Sequence, residues 1–201
     1  MLLPLAWLVR VDDTPLHREW LRKMAGDLLA GQADCGAIRE EIGEKGKGGF
    51  PPPESNEAYG TSETPLIQTN GNGVADMLYT VDFAFLGLHE ASAATGDDYY
   101  SDAEDKLAEF LCRIQILSEK HPELDGGWFR AFDFNRWEYW ASNGDAGWGA
   151  WSIESGWTQS WITTVLGLRL MNTSIWDLTD DSTVEKHFEE LRIQMLGVAY
   201  N

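Results

Sequence analysis

The chain has 201 residues, and 43% of them are hydrophobic. This length fits one domain, and the composition supports a packed core rather than extended disorder. The formal net charge of −18 argues against nucleic acid and anionic membranes as partners, because both are bound through clustered lysine and arginine. A protein of this charge can bind a neutral polyol such as a sugar. The alternative is that the charge serves only to keep the protein soluble.

The first ten residues, MLLPLAWLVR, are mostly apolar but carry no targeting signal. The stretch lacks a positively charged start and a small-residue cleavage site, so it does not fit a signal peptide. It is also shorter than the roughly 20 apolar residues that cross a bilayer. We therefore interpret it as a helix and expect the chain to begin inside a larger helical domain. The sequence predicts no compartment, and the cytoplasm is assumed by default.

A pair of helices is predicted at the start of the chain. Residues 2–11 form a short apolar helix, and Thr14 and Pro15 supply the cap and first turn of the next one. Residues 15–30 are amphipathic, and residues 32–39 after them are expected to be short and extended. The apolar stripe of this second helix has helical spacing and consists of Leu16, Trp20, Leu21, Met24 and Leu28.

A second pair of helices follows with the same order of elements. Residues 73–94 predict a long apolar helix, residues 95–98 a turn, and residues 99–120 an amphipathic helix. The segment LDGGWFR at 124–130 then matches ADCGAIR at 33–39. The shared residues all have an offset of 91 (125 minus 34), and they are Asp34 and Asp125, Gly36 and Gly127, and Arg39 and Arg130.

A third unit begins near Gly156 with SGWTQSWITTVLGLRL, which is apolar on nearly all sides and is therefore expected to be buried. A last helix is predicted over 183–196. The chain is thus predicted to be one all-α domain over 1–201, with αα-hairpins at about 1–31, 73–120 and 156–196. Long connections at 40–72 and 131–155 separate them, and connections of such length are usually functional.

Three sequence features resemble an (α/α) toroid of the six-hairpin glycosidase type. They are the TGDDYY turn between an apolar and an amphipathic helix, the DGGW turn, and WGAWSIESGWTQSWI before an apolar helix. The resemblance implies part of an (α/α)6 toroid, a fold shared by glycoside hydrolases, polysaccharide lyases, sugar epimerases and cyclases. A full toroid has six hairpins and three are counted here, as in a C-terminal half. We therefore expect a homodimer or a missing N-terminal half.

Seven of the ten tryptophans lie between Trp128 and Trp161, interleaved with carboxylates and glycines. Flat aromatic faces stack on sugar rings, whereas the alternative is that these tryptophans fill a core. Trp157 and Trp161 have i, i+4 spacing on an apolar helix and are expected in the core. The residues predicted to bind carbohydrate are Trp128, Trp137, Trp140, Trp148, Trp151, Tyr59, Tyr139 and Arg130; the arginine could equally form a surface salt bridge.

Glycoside hydrolysis needs two carboxyl groups across the scissile bond, one of them protonated. Glu154, between Trp151 and Trp157, and Asp145 are the first predicted catalytic residues, followed by Glu57 and Glu63. Glu154 could instead cap a helix, and Asp145 could serve only a turn.

Asp76 and Asp82 interrupt an apolar stretch that is predicted to be helical. A carboxylate there needs a partner or a pocket to face, because burial without either is unfavourable.

The leading hypothesis is a glycoside hydrolase that uses a carboxylate pair and needs no metal or cofactor. One alternative is a non-catalytic or truncated toroid that binds glycan. Another is a sugar epimerase or lyase, although His89 is expected to be a satisfied core histidine. The spacing of the cysteines and histidines does not support a zinc site.

Overall fold

The computed structural model describes residues 1–40, 73–139, 153, 158–180, 182–183, 186–188, 191–192 and 194, most of which are helical. The catalytic candidates Glu154, Asp145, Glu57 and Glu63 lie outside these residues. So do four carbohydrate-binding candidates: Trp140, Trp148, Trp151 and Tyr59. None of the described helices is long and apolar enough to cross a membrane.

The first predicted pair of helices is present as α1 (Leu2–Val11) and α2 (Pro15–Leu29). The break between them follows from local chemistry. The Thr14 hydroxyl accepts a hydrogen bond from the His17 amide at 3.2 Å, and Pro15 takes the first helical position, where its missing N–H has no consequence. The two helices therefore pack against each other as an αα-hairpin.

The second pair is α3 (Thr80–Thr95) and α4 (Asp98–Ile114). Gly96 ends α3 in the left-handed conformation, with φ of 65°, and the Asp97 carboxylate caps α4 by accepting from the Tyr99 amide. The prediction that the amphipathic helix reaches residue 120 is wrong. Gln115 turns into an extended conformation, and the Ile116 amide bonds to the Gly127 carbonyl.

The predicted start of the apolar helix at residue 73 is also wrong. Residues before α3 form β1 (Val74–Asp76), which pairs antiparallel with β2 (Ala131–Asp133); β2 in turn pairs with β3 (Glu138–Tyr139). The Glu40 amide donates to the Val74 carbonyl, so the first extended segment lies beside the same small sheet. A short apolar run has the same pattern in a buried strand and in a buried helix.

The repeated turn predicted from the offset of 91 is present in both copies. The Gly36 amide donates to the Ala33 carbonyl, and the Gly127 amide donates to the Leu124 carbonyl. The copies differ in backbone conformation, because positive φ falls on Gly36 in the first and on Gly126 in the second. The two copies thus share the hydrogen bond of the turn but differ in backbone conformation.

Helix α3 lies at the centre of the fold, and its residues from Val81 to Ala91 are buried on nearly every side. Helix α1 packs on it where Gly87 meets the Leu2 side chain and Trp7 meets Glu90. Since the residue numbers rise together along both helices, α1 and α3 run in the same direction.

Helix α5 (Thr158–Met171) flanks α3 on another side. Trp161 contacts Phe83, and Thr173 contacts His89, so α5 also runs parallel to α3. The expectation that α5 is buried all round is wrong, because Ile162 and Leu168 are buried whereas Leu170 is exposed. Residues 186–188, 191–192 and 194 are helical, within the last predicted helix.

A short helix that the sequence did not predict, α6 (Ile175–Thr179), is held by a buried carboxylate. Glu90, which is 1% exposed, accepts hydrogen bonds from the Trp7 indole N–H at 2.8 Å and from the Ile175 amide at 2.7 Å. The negative charge lies at the N-terminal end of α6, where the amide groups have no helical partner. Glu90 therefore joins α1, α3 and α6.

Candidate functional site

Three acidic side chains converge at the N-terminal end of α3, and we call Glu40, Asp76 and Asp82 the carboxyl cluster. Asp76 ends β1, Glu40 follows the extended segment beside β1, and Asp82 lies in the first turn of α3. Arg130 reaches the same place because it precedes β2, and its carbonyl accepts a hydrogen bond from the Met77 amide. The small sheet thus assembles residues that are far apart in sequence.

The cluster contains carboxyl oxygens that the described part of the chain does not satisfy. Asp82 is 1% exposed, and neither of its oxygens has a hydrogen-bond partner there; the same holds for Oε2 of Glu40, a residue that is partly exposed. Asp76 differs, since its Oδ1 accepts from the Leu78 amide at 2.8 Å and lies 4.0 Å from Nε of Arg130. A buried polar group without a partner is unfavourable, and a catalytic role is one of the reasons for which proteins keep such a group.

Burial keeps protons on two of these carboxyl groups. Burial and the nearby charge of Asp76 raise the pKa of Asp82 to about 9. Burial and Asp76 also raise the pKa of Glu40 to about 8, although Arg130 opposes this. A carboxylic acid that keeps its proton at neutral pH can donate it to a leaving group, so the cluster has the chemistry of a general acid.

The described residues contain no group of three or more histidine, cysteine, aspartate or glutamate side chains arranged to hold a metal ion. The Arg130 guanidinium lies beside the carboxyl cluster and partly balances its charge. The Arg130 guanidinium also lies 5.8 Å from the centre of the Tyr79 ring, and Tyr79 is 41% exposed. The exposed tyrosine thus marks the surface beside the cluster.

Two of the predicted carbohydrate-binding residues support the fold instead. Trp128 is buried in the core, and its indole N–H donates to the Leu111 carbonyl at 2.8 Å. The Tyr139 hydroxyl donates to the Ile114 carbonyl at 2.6 Å, and burial raises the pKa of this hydroxyl. Trp128 therefore offers no open face for a sugar ring, and we interpret both residues as core-packing groups.

Among the predicted stacking residues that the structure describes, Trp137 is the exposed one, with 41% of its surface accessible. Its φ of 57° is unusual for a large side chain, and such strain tends to occur at functional sites. The indole packs edge-to-face on Phe110 and Phe132, and the Arg113 guanidinium lies 4.5 Å from its ring centre. Trp137 thus presents a partly exposed aromatic surface, with Arg113 over its ring.

A second group of buried charges lies at the other end of α3. The Glu104 carboxylate bonds to Nδ1 of His89 at 2.8 Å and to Arg169 at 2.7 Å, while Nε2 of His89 faces the Thr173 carbonyl at 2.8 Å. These groups border a polar cavity of about 420 Å³. Because both ring nitrogens face acceptors, these contacts favour the cationic form of His89, and they raise its pKa although burial opposes this.

None of the three residues of the carboxyl cluster is among the predicted catalytic residues, but two of them carry a signal in the sequence. Asp76 and Asp82 stand out because they interrupt an apolar stretch, a signal that predicts either a partner or a pocket for each carboxylate. Glu40 carries no such signal, since only the pairing of its backbone with β1 brings it to the other two.

The chain matches no protein-family model, no curated protein and no solved structure.

Proposed function

We propose that the protein is a carbohydrate-active enzyme, a glycoside hydrolase, with its acid and base at the carboxyl cluster. The observation that carries this proposal is that two carboxyl groups with raised pKa values lie near Asp76, whose surroundings complement a negative charge. Glu40 and Asp82 have pKa values raised to about 8 and 9, and both lie near Asp76. Hydrolysis of a glycosidic bond needs one carboxyl group that holds a proton and one that is ionised.

The surroundings of each group suggest its role. Glu40 is partly exposed and has an unpartnered oxygen, so it is the proposed general acid. Asp76 has an amide donor and Arg130 beside it, which complement a negative charge, so it is the proposed ionised partner. Asp82 lies deeper, and its neutral carboxyl keeps further charge away from Asp76. Glu154, Asp145, Glu57 and Glu63 stay predictions.

We propose that this site belongs to part of an (α/α)6 toroid. The parallel course of α1, α3 and α5, with amphipathic α2 and α4 as the hairpin partners of α1 and α3, supports this proposal. The carboxyl cluster lies at the end of α3 where the connection between hairpins arrives, and a toroid exposes such connections to its substrate. A homodimer or further N-terminal hairpins would complete the ring, and light scattering distinguishes a dimer from a monomer.

The test is hydrolysis of a panel of oligosaccharides and aryl glycosides, with products identified by mass spectrometry and NMR. We expect Glu40→Gln and Asp76→Asn to lower kcat at least about 100-fold, the usual contribution of general acid–base catalysis. Asp102→Asn, at an exposed position on α4, is the matched control. Unchanged hydrolysis in Glu40→Gln would contradict the assignment. An isomerised or unsaturated product would indicate an epimerase or a lyase instead.

A non-catalytic glycan-binding protein is the second candidate, and the exposed, conformationally strained Trp137 favours it. This function predicts binding of oligosaccharides without turnover, and loss of that binding in Trp137→Ala. The matched control is Trp20→Ala, since Trp20 is similarly exposed but lies on α2. If both variants bind like the wild type, Trp137 has no role in glycan binding.

A further inference from the structure

An apolar groove of about 330 Å³ lies between the parallel helices α1, α3 and α5. Its walls are mostly hydrocarbon and indole, and its main lining residues are Leu3, Trp7, Leu86, Trp161, Val165 and Ile175. The Trp7 indole N–H already donates to Glu90 and does not serve a ligand. A group that enters this groove therefore gains apolar contact and few hydrogen bonds.

Helix α3 carries both Asp82 of the carboxyl cluster and one wall of the groove. Phe83 follows Asp82 directly, is 53% exposed, and contacts Trp161 of the groove wall with ring centres 5.2 Å apart. Leu86, which lines the groove, is four residues after Asp82 and so lies about one turn further along the same side of α3. The groove and Asp82 thus occupy neighbouring parts of one helix surface.

We propose that the groove is the binding site for the apolar aglycone, an aryl or short alkyl group, of a glycoside whose sugar lies at the carboxyl cluster. This inference rests on the proposed glycosidase function and adds a substrate class to it. A sugar ring placed in the groove would lose hydrogen bonds to water without replacing them, whereas an apolar group would gain by leaving water. The groove volume suits a small ligand group.

The experiment uses methyl, butyl and hexyl β-D-glucopyranoside below their micellar concentrations, with binding followed by calorimetry on the full chain. Each buried methylene should tighten Kd about fourfold. Thr164→Trp fills the groove from an exposed lining position and should abolish this dependence on chain length. Thr163→Trp is the matched control, because Thr163 is exposed on the same helix but does not line the groove.

Binding that does not depend on chain length in the wild type would overturn the inference, and so would an equal loss in both variants. A wild-type dimer that Thr164→Trp converts to a monomer would show instead that the groove is a contact between copies. The two proposals fail separately. Glu40→Gln should lose hydrolysis and keep the chain-length dependence, so hydrolysis without that dependence overturns only the aglycone site.

Discussion

The buried Asp82 carboxyl should make the folded state less stable as pH rises, and Asp82→Asn removes this effect. Below the ordinary aspartate pKa of 3.8, both the folded and the unfolded chain hold the proton. Above it the unfolded chain ionises, whereas the folded chain keeps its proton until about pH 9. The free energy of unfolding therefore falls between these two pH values.

The magnitude follows from the size of the pKa shift. Each pH unit between the two pKa values changes the free energy of unfolding by up to about 1.4 kcal/mol, which gives at most about 4 kcal/mol at pH 7. Asp82 is 1% exposed, so solvent screens this effect little. A domain of this size has a total stability of about 5–15 kcal/mol, and the effect is therefore large enough to measure.

The assay is urea unfolding followed by tryptophan fluorescence at pH 5, 6, 7 and 8. The stability of Asp82→Asn relative to the wild type should increase by about 2–4 kcal/mol from pH 5 to pH 8. Asp102→Asn, at an exposed position on α4, should show no such trend. A difference between Asp82→Asn and the wild type that stays constant with pH would refute the reasoning, because it would mean that Asp82 is ionised in the folded state.

Two further predictions concern the frame around the site. Burial lowers the pKa of His89, but Glu104 and the Thr173 carbonyl outweigh it and raise this pKa above its usual value of 6.5. Protonated His89 therefore stabilises the folded state fully below pH 6.5, and this stabilisation is lost as pH rises through the pKa of the folded state. His89→Gln should therefore destabilise the fold more at pH 5.5 than at pH 8.5 in urea unfolding, and equal losses would contradict this. Gly36 has φ of 94°, and an added Cβ would lie 1.9 Å from the Lys106 carbonyl oxygen, whereas Gly96 has φ of 65° and open space. In thermal unfolding, Gly96→Ala should cost about 1–2 kcal/mol and Gly36→Ala at least about twice that; similar losses would mean that the clash is absent.

The parts of the fold that local chemistry determines could be predicted from the sequence. Thr14 with Pro15 and Gly96 with Asp97 break and cap the helices through contacts within a few residues, so the boundaries between α1 and α2 and between α3 and α4 follow directly. The apolar spacing of α2 and α4 adds to these signals.

The parts that depend on distant partners could not be predicted. The sequence predicts a helix at residues 74–76 because a short apolar run shows no period of its own. These residues form a strand because they pair with β2, which lies more than fifty residues later. The same pairing forms the carboxyl cluster. Glu40 and Arg130 reach Asp76 through backbone bonds of the sheet, which sequence spacing does not reveal.

The tryptophan-rich segment shows a similar limit. Composition alone treats Trp128 and Trp137 alike, yet one donates its indole N–H inside the core and the other is 41% exposed. The difference arises from position, since Trp128 lies between Gly127 and the sheet, whereas Trp137 ends the loop that joins β2 to β3. Which of these two tryptophans is buried therefore becomes visible only in the structure.

The most direct measurement is a ¹³C NMR titration of protein labelled at aspartate and glutamate carboxyl carbons, with Asp82 and Glu40 assigned through Asp82→Asn and Glu40→Gln. We predict that both carboxyl groups are protonated at pH 7, with midpoints near 9 for Asp82 and near 8 for Glu40. Midpoints near 4 for both groups would contradict the presence of proton-holding carboxyl groups at the end of α3, and the proposed acid–base pair with it.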